Sequence, residues 1–231
     1  MQCSATYMDK ITLDEVEAVR ARFAQARDDA ARRFRESFAN AAAAIPPNER
    51  WRSHLEIQAA SMLERMAGVR LKAGYRIDYV IDEESRIIAP VASADDSALP
   101  AGVPVEHFRP EDFLFPFFTI DQKGEALLEY WMLTSELLSS AEWKMTKLIA
   151  TPAEQDSLLA AMNRPQIVNA LFASYLPEAE FLNDGTAFLD ITVYSRAGQE
   201  RIERRRLFLD TRNELHFHSR QIVAEGEGGV G

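Results

Sequence analysis

The residues best suited to chemistry are arginine, histidine and acidic side chains near the C-terminus. Guanidinium groups offer paired donors that match carboxylates and phosphates, and a histidine can exchange a proton near neutral pH. Together these side chains predict a binding site for a small anion or an acidic group. The candidates are Asp190, Tyr194, Arg204, Arg206, His216, His218 and Arg220.

The local sequence predicts that a β-sheet positions these residues. Apolar and polar residues alternate with a period of two, which is typical of strands with one buried face. The two predicted loops, 196–198 and 211–213, end in Gly198 and Asn213, which tolerate the left-handed conformation of a bulged type I turn. We therefore predict an antiparallel three-stranded meander with strands at 187–195, 199–209 and 214–224.

The loop lengths define which residues lie opposite each other. Asp190, Arg204 and Arg220 would share one cross-strand row, and Arg206 and His218 would share the next. We name the polar side of the meander the Arg/His face, which comprises Phe188, Asp190, Thr192, Tyr194, Ile202, Arg204, Arg206, Phe208, His216, His218, Arg220 and Ile222. The opposite side, the predicted core face, comprises Leu189, Ile191, Val193, Leu207, Leu209, Leu215, Phe217 and Val223.

Three interpretations of the Arg/His face stay open. It could bind an anion, with Asp190 orienting one of the arginines. It could be an ordinary solvated sheet face, on which Asp190 and Arg204 form a cross-strand ion pair. The acidic middle of the chain could also dock on its arginines, through residues such as Glu83, Asp95 or Asp112.

A metal site is a further possibility that the sequence disfavours. His216 and His218 lie on the same side of the predicted strand and could bracket an ion. Zinc takes about three or four protein ligands, and only Asp190 offers a third. Because the neighbouring arginines would repel a cation, we expect no metal ion and no cofactor.

The segment 108–143 is unusually aromatic. It could line an apolar ligand pocket, or it could form the core that joins the sheet to its helices. The preceding loop, 92–110, is long for a connection, contains His107, and could cover a pocket or the Arg/His face. The apolar residues concerned are Phe108, Phe113, Leu114, Phe115, Phe117, Phe118, Tyr130, Trp131 and Trp143.

The N-terminal third predicts two long helices. Residues 12–15, Thr-Leu-Asp-Glu, have the spacing of a capping box, and apolar residues then recur at helical spacing over 13–45. Pro46 and Pro47 end this helix. A second amphipathic helix is predicted over 49–73, with Gly74 as its C-terminal stop.

The remaining elements are mixed. Alternation predicts strands at 75–82 and 86–91, and apolar spacing predicts a helix at 125–139. Thr151-Pro152 is typical of a helix start, and Pro165 is predicted to begin another helix that ends before Pro177.

Together these elements predict an α+β protein with a C-terminal three-stranded meander. A long helical hairpin, 1–73, would pack on or extend from an antiparallel β-sheet domain, 74–225. A flexible tail, 226–231, would follow.

The charge distribution limits the classes of partner. The 231 residues carry a formal net charge of -10, and residues 73–190 contain 20 acidic and 7 basic side chains. A negative potential disfavours nucleic acid and anionic membranes, and no apolar run is long enough to span a bilayer. Cys3 is the only cysteine, which excludes an intrachain disulfide and fits a cytoplasmic location.

The sequence lacks the familiar motifs for nucleophilic, phosphate-binding, dinucleotide-binding and zinc-protease sites. We therefore expect a non-catalytic interaction or adaptor protein that uses the helical hairpin to bind a protein partner or a second copy of itself. The alternative is a small-molecule binding protein or enzyme that holds an anionic ligand on the Arg/His face.

Overall fold

A computed structural model of the chain describes residues 7–39, 46–82, 87–94, 103–138, 146–169, 175–196 and 199–227. The fold is mixed α+β, as predicted, with an N-terminal helix pair and a curled antiparallel sheet towards the C-terminus. The chain divides into two compact units, which are Ala18–Asp121 and the combination of Met1–Glu17 with Gln122–Gly231. The sequence-based division at residues 73 and 225 stays a prediction.

Helix α1, Leu13–Phe38, begins at the predicted capping box. The Thr12 amide donates to Glu15 Oε2 at 2.7 Å, and the Glu15 amide donates to Thr12 Oγ1 at 3.3 Å. The predicted continuation of this helix beyond residue 39 lies outside the described residues. The face that the helix buries consists of Val16, Val19, Phe23, Ala26 and Ala30.

Helix α2 spans Pro47–Arg65, so its predicted extension to residue 73 is wrong. The missing part forms strand β2, Val69–Leu71, which pairs with β5, Phe118–Ile120. The mixed exposure of these three residues fits either a helix or a strand. Pairing with β5 therefore decides their structure, and local propensity does not. Gly74 has a φ of 80° in the turn after β2, where it does not end a helix.

The rest of the Ala18–Asp121 unit follows the prediction more closely. Strands β3, Tyr75–Asp82, and β4, Ile87–Ala94, form an antiparallel pair. The phenylalanine-rich segment before β5 is irregular. It consists of a 3-10 turn at Val105–His107, helix α3 at Pro110–Phe113 and a 3-10 turn at Phe115–Phe117.

A seven-stranded antiparallel sheet dominates the other unit. Its strand order is β1-β8-β9-β10-β11-β7, and β6 pairs with β9 next to β8. The strands are β1 (Tyr7–Lys10), β6 (Thr146–Ile149), β7 (Gln166–Ile167), β8 (Glu178–Phe181), β9 (Ala187–Ser195), β10 (Arg201–Leu209) and β11 (Leu215–Glu225). The predicted meander is therefore present as β9-β10-β11.

In the described part of this unit, two helices accompany the sheet, α4 at Gly124–Leu137 and α5 at Pro152–Ala161. Helix α5 begins at the predicted cap, because Thr151 and Glu154 form a capping box. The helix predicted from Pro165 is wrong at its start. Residues Gln166 and Ile167 instead extend the sheet by pairing with the end of β11.

The core face of the meander is confirmed over most of its length. Leu189, Ile191 and Val193 are buried, as are Leu207, Leu209 and Val223. Leu215 is only half-buried, and Phe217 is 56% exposed. The register of β11 shifts next to Phe217, and within the described residues only Ala224–Glu225 pair with a strand on the outer edge of β11.

Aromatic residues of segment 108–143 lie in both units. Phe108, Leu114, Phe115 and Phe118 are buried in one unit, and Tyr130 and Trp131 are buried in the other. Tyr130 donates a 2.6 Å hydrogen bond to the carbonyl of Asn213. Trp143 and residues 95–102 of the predicted loop lie outside the described residues.

Candidate functional site

The register of the meander differs from the predicted one at the first hairpin. Ser195 pairs with Arg201, so the loop comprises the five residues 196–200. The faces of β9 and β10 are retained, because every pair shifts by two residues. Asp190 consequently lies opposite Arg206, and its predicted pairing with Arg204 is wrong.

The second hairpin has the predicted register only near its turn. Phe208 pairs with His216, and the φ of Asn213 is 63°, as the bulged turn requires. A register shift between Arg206 and Leu207 then places Arg205 opposite Arg220. The predicted row of Asp190, Arg204 and Arg220 is therefore wrong, because the bulge turns Arg220 towards the core face.

Two arginines of the Arg/His face are paired with carboxylates. Arg206 Nη1 donates to Asp190 Oδ2 at 2.9 Å, and its Nη2 donates to Glu180. The same guanidinium lies 4.3 Å above the centre of the Phe188 ring, a cation–π distance. Three interactions therefore hold Arg206 in one orientation.

Arg204 is held in a similar way. Its Nη1 donates to Leu176 O and to Thr192 Oγ1, each at 3.3 Å, and its Nη2 lies 3.8 Å from Glu178 Oε2. Burial raises the pKa of Asp190, while Arg206 and Arg204 act in the opposite direction. Two arginines and three carboxylates meet on this part of the face, so their charges leave no positive excess for an anion.

The acidic partners Glu178 and Glu180 were not recognised as part of this site from the sequence. Strand β8 is only four residues long, and it follows a segment that was predicted to be helical. Its Glu-Ala-Glu-Phe alternation is the signal that could have placed both glutamates on one side. Of the acidic residues proposed to dock on the arginines, Glu83 and Asp95 lie outside the described residues.

The remaining candidates are distributed over different surroundings. Tyr194 is buried beside Met162 and Ile202, and its hydroxyl donates to Glu200 Oε1 at 2.8 Å. His218 contacts the Phe188 ring edge-on, with 5.2 Å between ring centres. Arg220 lies 4.0 Å from the buried Glu203, which also accepts a 2.5 Å hydrogen bond from Arg205.

His216 belongs to a carboxylate cluster at the turn between β10 and β11. Its Nε2 lies 3.1 Å from Asp210 Oδ2, and its Nδ1 lies 3.4 Å from Glu214 Oε1. The three groups could supply ligand atoms to a metal ion. The three side chains also interact with one another, and Asp210 accepts hydrogen bonds from the backbone amides of Arg212 and Glu214. Stabilisation of the turn is therefore a sufficient role for the cluster.

The far end of the helical hairpin exposes aromatic side chains. Phe34 and Phe38 on α1 are half-buried, with 4.6 Å between their ring centres, and Phe34 contacts His54 of α2 edge-on at 4.8 Å. Trp51 lies one helical turn from His54 and is 41% exposed. We call Phe34, Phe38, Trp51 and His54 the hairpin patch.

Ion pairs outside this patch also connect the two helices. Arg33 Nη1 donates to Glu64 Oε1 at 2.9 Å, and Arg65 Nε donates to Asp29 Oδ2 at 3.0 Å. No described residue between 31 and 58 is buried. Within the described residues the hairpin patch therefore has no buried core beneath it, and contacts between the two helices hold it in place.

A groove of about 470 Å³ lies on the same unit, lined by residues of α2, β2 and β3. Glu56 lines the groove, and burial together with the neighbouring carboxyl group of Asp78 raises its pKa to about 7. The sequence predicted the strand that carries Asp78, but nothing in the local pattern indicated that α2 would place a second acid beside it.

None of the described helices is long and apolar enough to cross a membrane. Comparison of the chain with models of known protein families, with curated proteins and with solved structures finds no match.

Proposed function

We propose that the protein is a non-catalytic interaction protein and that the hairpin patch is its contact surface. The observation that carries the proposal is the 41% exposure of Trp51, one helical turn from His54, which contacts the half-buried Phe34. Large aromatic side chains provide much of the binding energy at protein interfaces, and tryptophan is the residue most enriched at such positions.

The charge around the patch identifies the kind of partner. Five arginines and three glutamates lie between residues 31 and 58. Arg32 and Arg33 pair with Asp29 and Glu64, whereas Arg35 and Arg52 are exposed and would attract an acidic surface. We therefore assign the patch to an acidic protein segment that presents apolar side chains, most simply one face of an amphipathic helix.

This proposal includes a cytoplasmic location, which fits a chain with one cysteine. Anion binding on the Arg/His face stays the alternative prediction. It has less support, because Glu178, Glu180 and Asp190 already pair with the arginines there.

Binding of a designed peptide tests the proposal. The probe is a fluorescent, acidic, amphipathic peptide of about 18 residues, long enough for a helix with one apolar face. We expect it to bind the full chain, with an affinity that falls as salt rises. Trp51→Ala should weaken binding by about tenfold or more, as for a central interface residue.

The matched control is Phe217→Ala, which removes an even more exposed aromatic residue from the larger sheet and should leave binding unchanged. A basic peptide of the same pattern should not bind. Binding that Trp51→Ala leaves unchanged, or no binding at all, would reject the proposal. A dimer seen by light scattering that Trp51→Ala dissociates would reject the acidic partner in favour of self-association.

A further inference from the structure

The groove of about 470 Å³ on the Ala18–Asp121 unit is built from three successive elements of the chain. Helix α2 ends at Arg65, and the chain continues as β2 and, through the turn at Gly74, as β3. The helix supplies one part of the lining and the two strands supply the other. The volume falls in the range of small-molecule sites.

The apolar part of this lining comes from the helix and from both strands. Its side chains are Ala60, Leu63, Leu71, Tyr75 and Ile77. Leu63, Leu71 and Tyr75 are only half-buried, so they keep apolar surface that a ligand can cover. The Tyr75 ring also packs against Phe117, with 4.6 Å between ring centres. Coverage of such a surface favours a ligand with an apolar body.

The charged part of the lining contains both signs in equal number. Two glutamates of α2 face the groove together with two arginines of the strands, namely Glu56, Glu64, Arg70 and Arg76. Arg76 lies close enough to Glu56 to act against the rise in its pKa, so these two side chains attract each other. A cation in the groove would meet two arginines, and an anion would meet two glutamates. Neither sign of charge is therefore favoured.

The other two charged side chains of the lining are paired with residues outside it. Arg33 Nη1 donates to Glu64 Oε1 at 2.9 Å, and Arg70 Nη2 donates to Asp121 Oδ1 at 2.6 Å. A charged ligand would have to displace such a partner, or lie against the apolar lining without one, and both cost free energy. An uncharged ligand avoids both costs.

We propose that this groove binds an uncharged small molecule with an apolar body, such as a fused aromatic ring. The body covers Leu63, Leu71 and the ring of Tyr75, and burial of this surface supplies the binding free energy. The groove shares no residue with the hairpin patch, so the two surfaces can be tested separately.

The test compares three naphthalene probes, which carry a hydroxymethyl, an aminomethyl or a carboxylate group. Titration calorimetry and amide chemical shifts measure their binding to the full chain. We expect the alcohol to bind about tenfold more tightly than either charged probe, because a charge in the groove would be desolvated without a free partner. Its affinity should not fall as salt rises, and its binding should have a negative heat capacity change, the marker of apolar burial.

A variant that fills the groove tests the location. Ala60 is exposed and lines the groove, so Ala60→Phe occupies the groove without entering the core. It should weaken binding of the alcohol by about tenfold, since most of the apolar contact is lost. Ala24→Phe, at an exposed position of α1, is the matched control and should change nothing. Trp51→Ala should also leave binding unchanged, and circular dichroism confirms that each variant is folded.

Several outcomes would overturn the proposal. Equal binding of the three probes, tighter binding of either charged probe, or no binding by any probe would each do so. Binding of the alcohol that Ala60→Phe leaves unchanged, or that Trp51→Ala abolishes, would place the ring elsewhere and would be equally decisive.

Discussion

At the scale of single residues, the charged side chains of the protein occupy very different surroundings. Arg206 is fixed by Asp190, Glu180 and the ring of Phe188, so its charge is used within the sheet. Glu56 instead lies beside another acid. Residue type alone therefore does not identify a site, because an arginine that is paired within the sheet offers little to a ligand.

The neutralised arginines lead to a prediction about anions. Phosphate that bound the Arg/His face would stabilise the folded protein, because ligands that bind only the folded state raise its free energy of unfolding. We therefore expect the wild type, Arg204→Ala and Arg206→Ala to respond to phosphate alike, with no rise in melting temperature that depends on either arginine. Thermal unfolding of the three proteins with phosphate, and with chloride at equal ionic strength, makes the measurement. A rise that depends on either arginine would favour the anion site.

The acid pair leads to a prediction about pH. The pKa of Glu56 is about 7 in the folded protein and near 4.5 in an ordinary glutamate, so folding favours the protonated form. The stability that this provides is complete below pH 4.5 and is lost as the pH rises through 7. Glutamine cannot ionise, so Glu56→Gln should raise the free energy of unfolding at pH 8 by about 1 kcal/mol, after allowance for solvent screening.

The same variant should give no gain at pH 4.5, where the wild-type side chain is protonated. Urea unfolding at both pH values measures the difference, and Glu49→Gln on the exposed side of α2 serves as the control. An equal gain at both pH values would show that the effect does not come from ionisation.

At the scale of elements, a threonine cap was a reliable signal of a helix start, whereas Pro165 was not. Thr12 and Thr151 each cap a helix with a glutamate three residues later; the first was predicted from the spacing of a capping box and the second from Thr151-Pro152. Helix α5 is short and gains little from burial on its own, since only Gln155 within it is buried. Its cap should therefore contribute a visible share of its stability.

Removal of that cap gives the next prediction. Thr151→Ala leaves the Glu154 amide without its 3.2 Å acceptor and should lower the free energy of unfolding by about 1 kcal/mol. Ser157→Ala, within the same helix and exposed, should lower it by less than about 0.5 kcal/mol. Urea unfolding measures both. Equal losses in the two variants would mean that the cap has no special role.

At the scale of the whole molecule, the fold class and most of the long elements could be predicted from the sequence. Residues 75–82 and 187–195 have the strand bounds expected from alternation. The strands of two to four residues could not be predicted, because β2, β7 and β8 form only by pairing with strands that are distant in the sequence. Local periodicity has no meaning over so few residues.

The candidate site was harder to predict for the same reason. The expected cross-strand rows assumed a three-residue loop at 196–198 and no bulge opposite Arg206 and Leu207, and both assumptions failed. The acids of β8 that neutralise the arginines come from outside the meander. A site assembled from several elements cannot be derived from the spacing within one of them.

Phe217 and the outer edge of β11 have a consequence for the handling of the protein. Within the described residues, Leu215–Gln221 pair with no strand on that edge, and Phe217 adds an exposed ring. Exposed edges of this kind recruit further strands from other molecules, and an added lysine discourages it.

The colloidal stability of concentrated solutions should therefore depend on this edge. Phe217→Lys should lengthen the lag before thioflavin-positive fibrils appear, whereas Trp51→Lys, an exposed aromatic position on a helix, should not. If the lag is the same in Phe217→Lys and wild type, fibrils start elsewhere. Storage life would then be limited by a different segment. In that case the arginine and histidines of β11 would already be enough to prevent fibril growth from this edge.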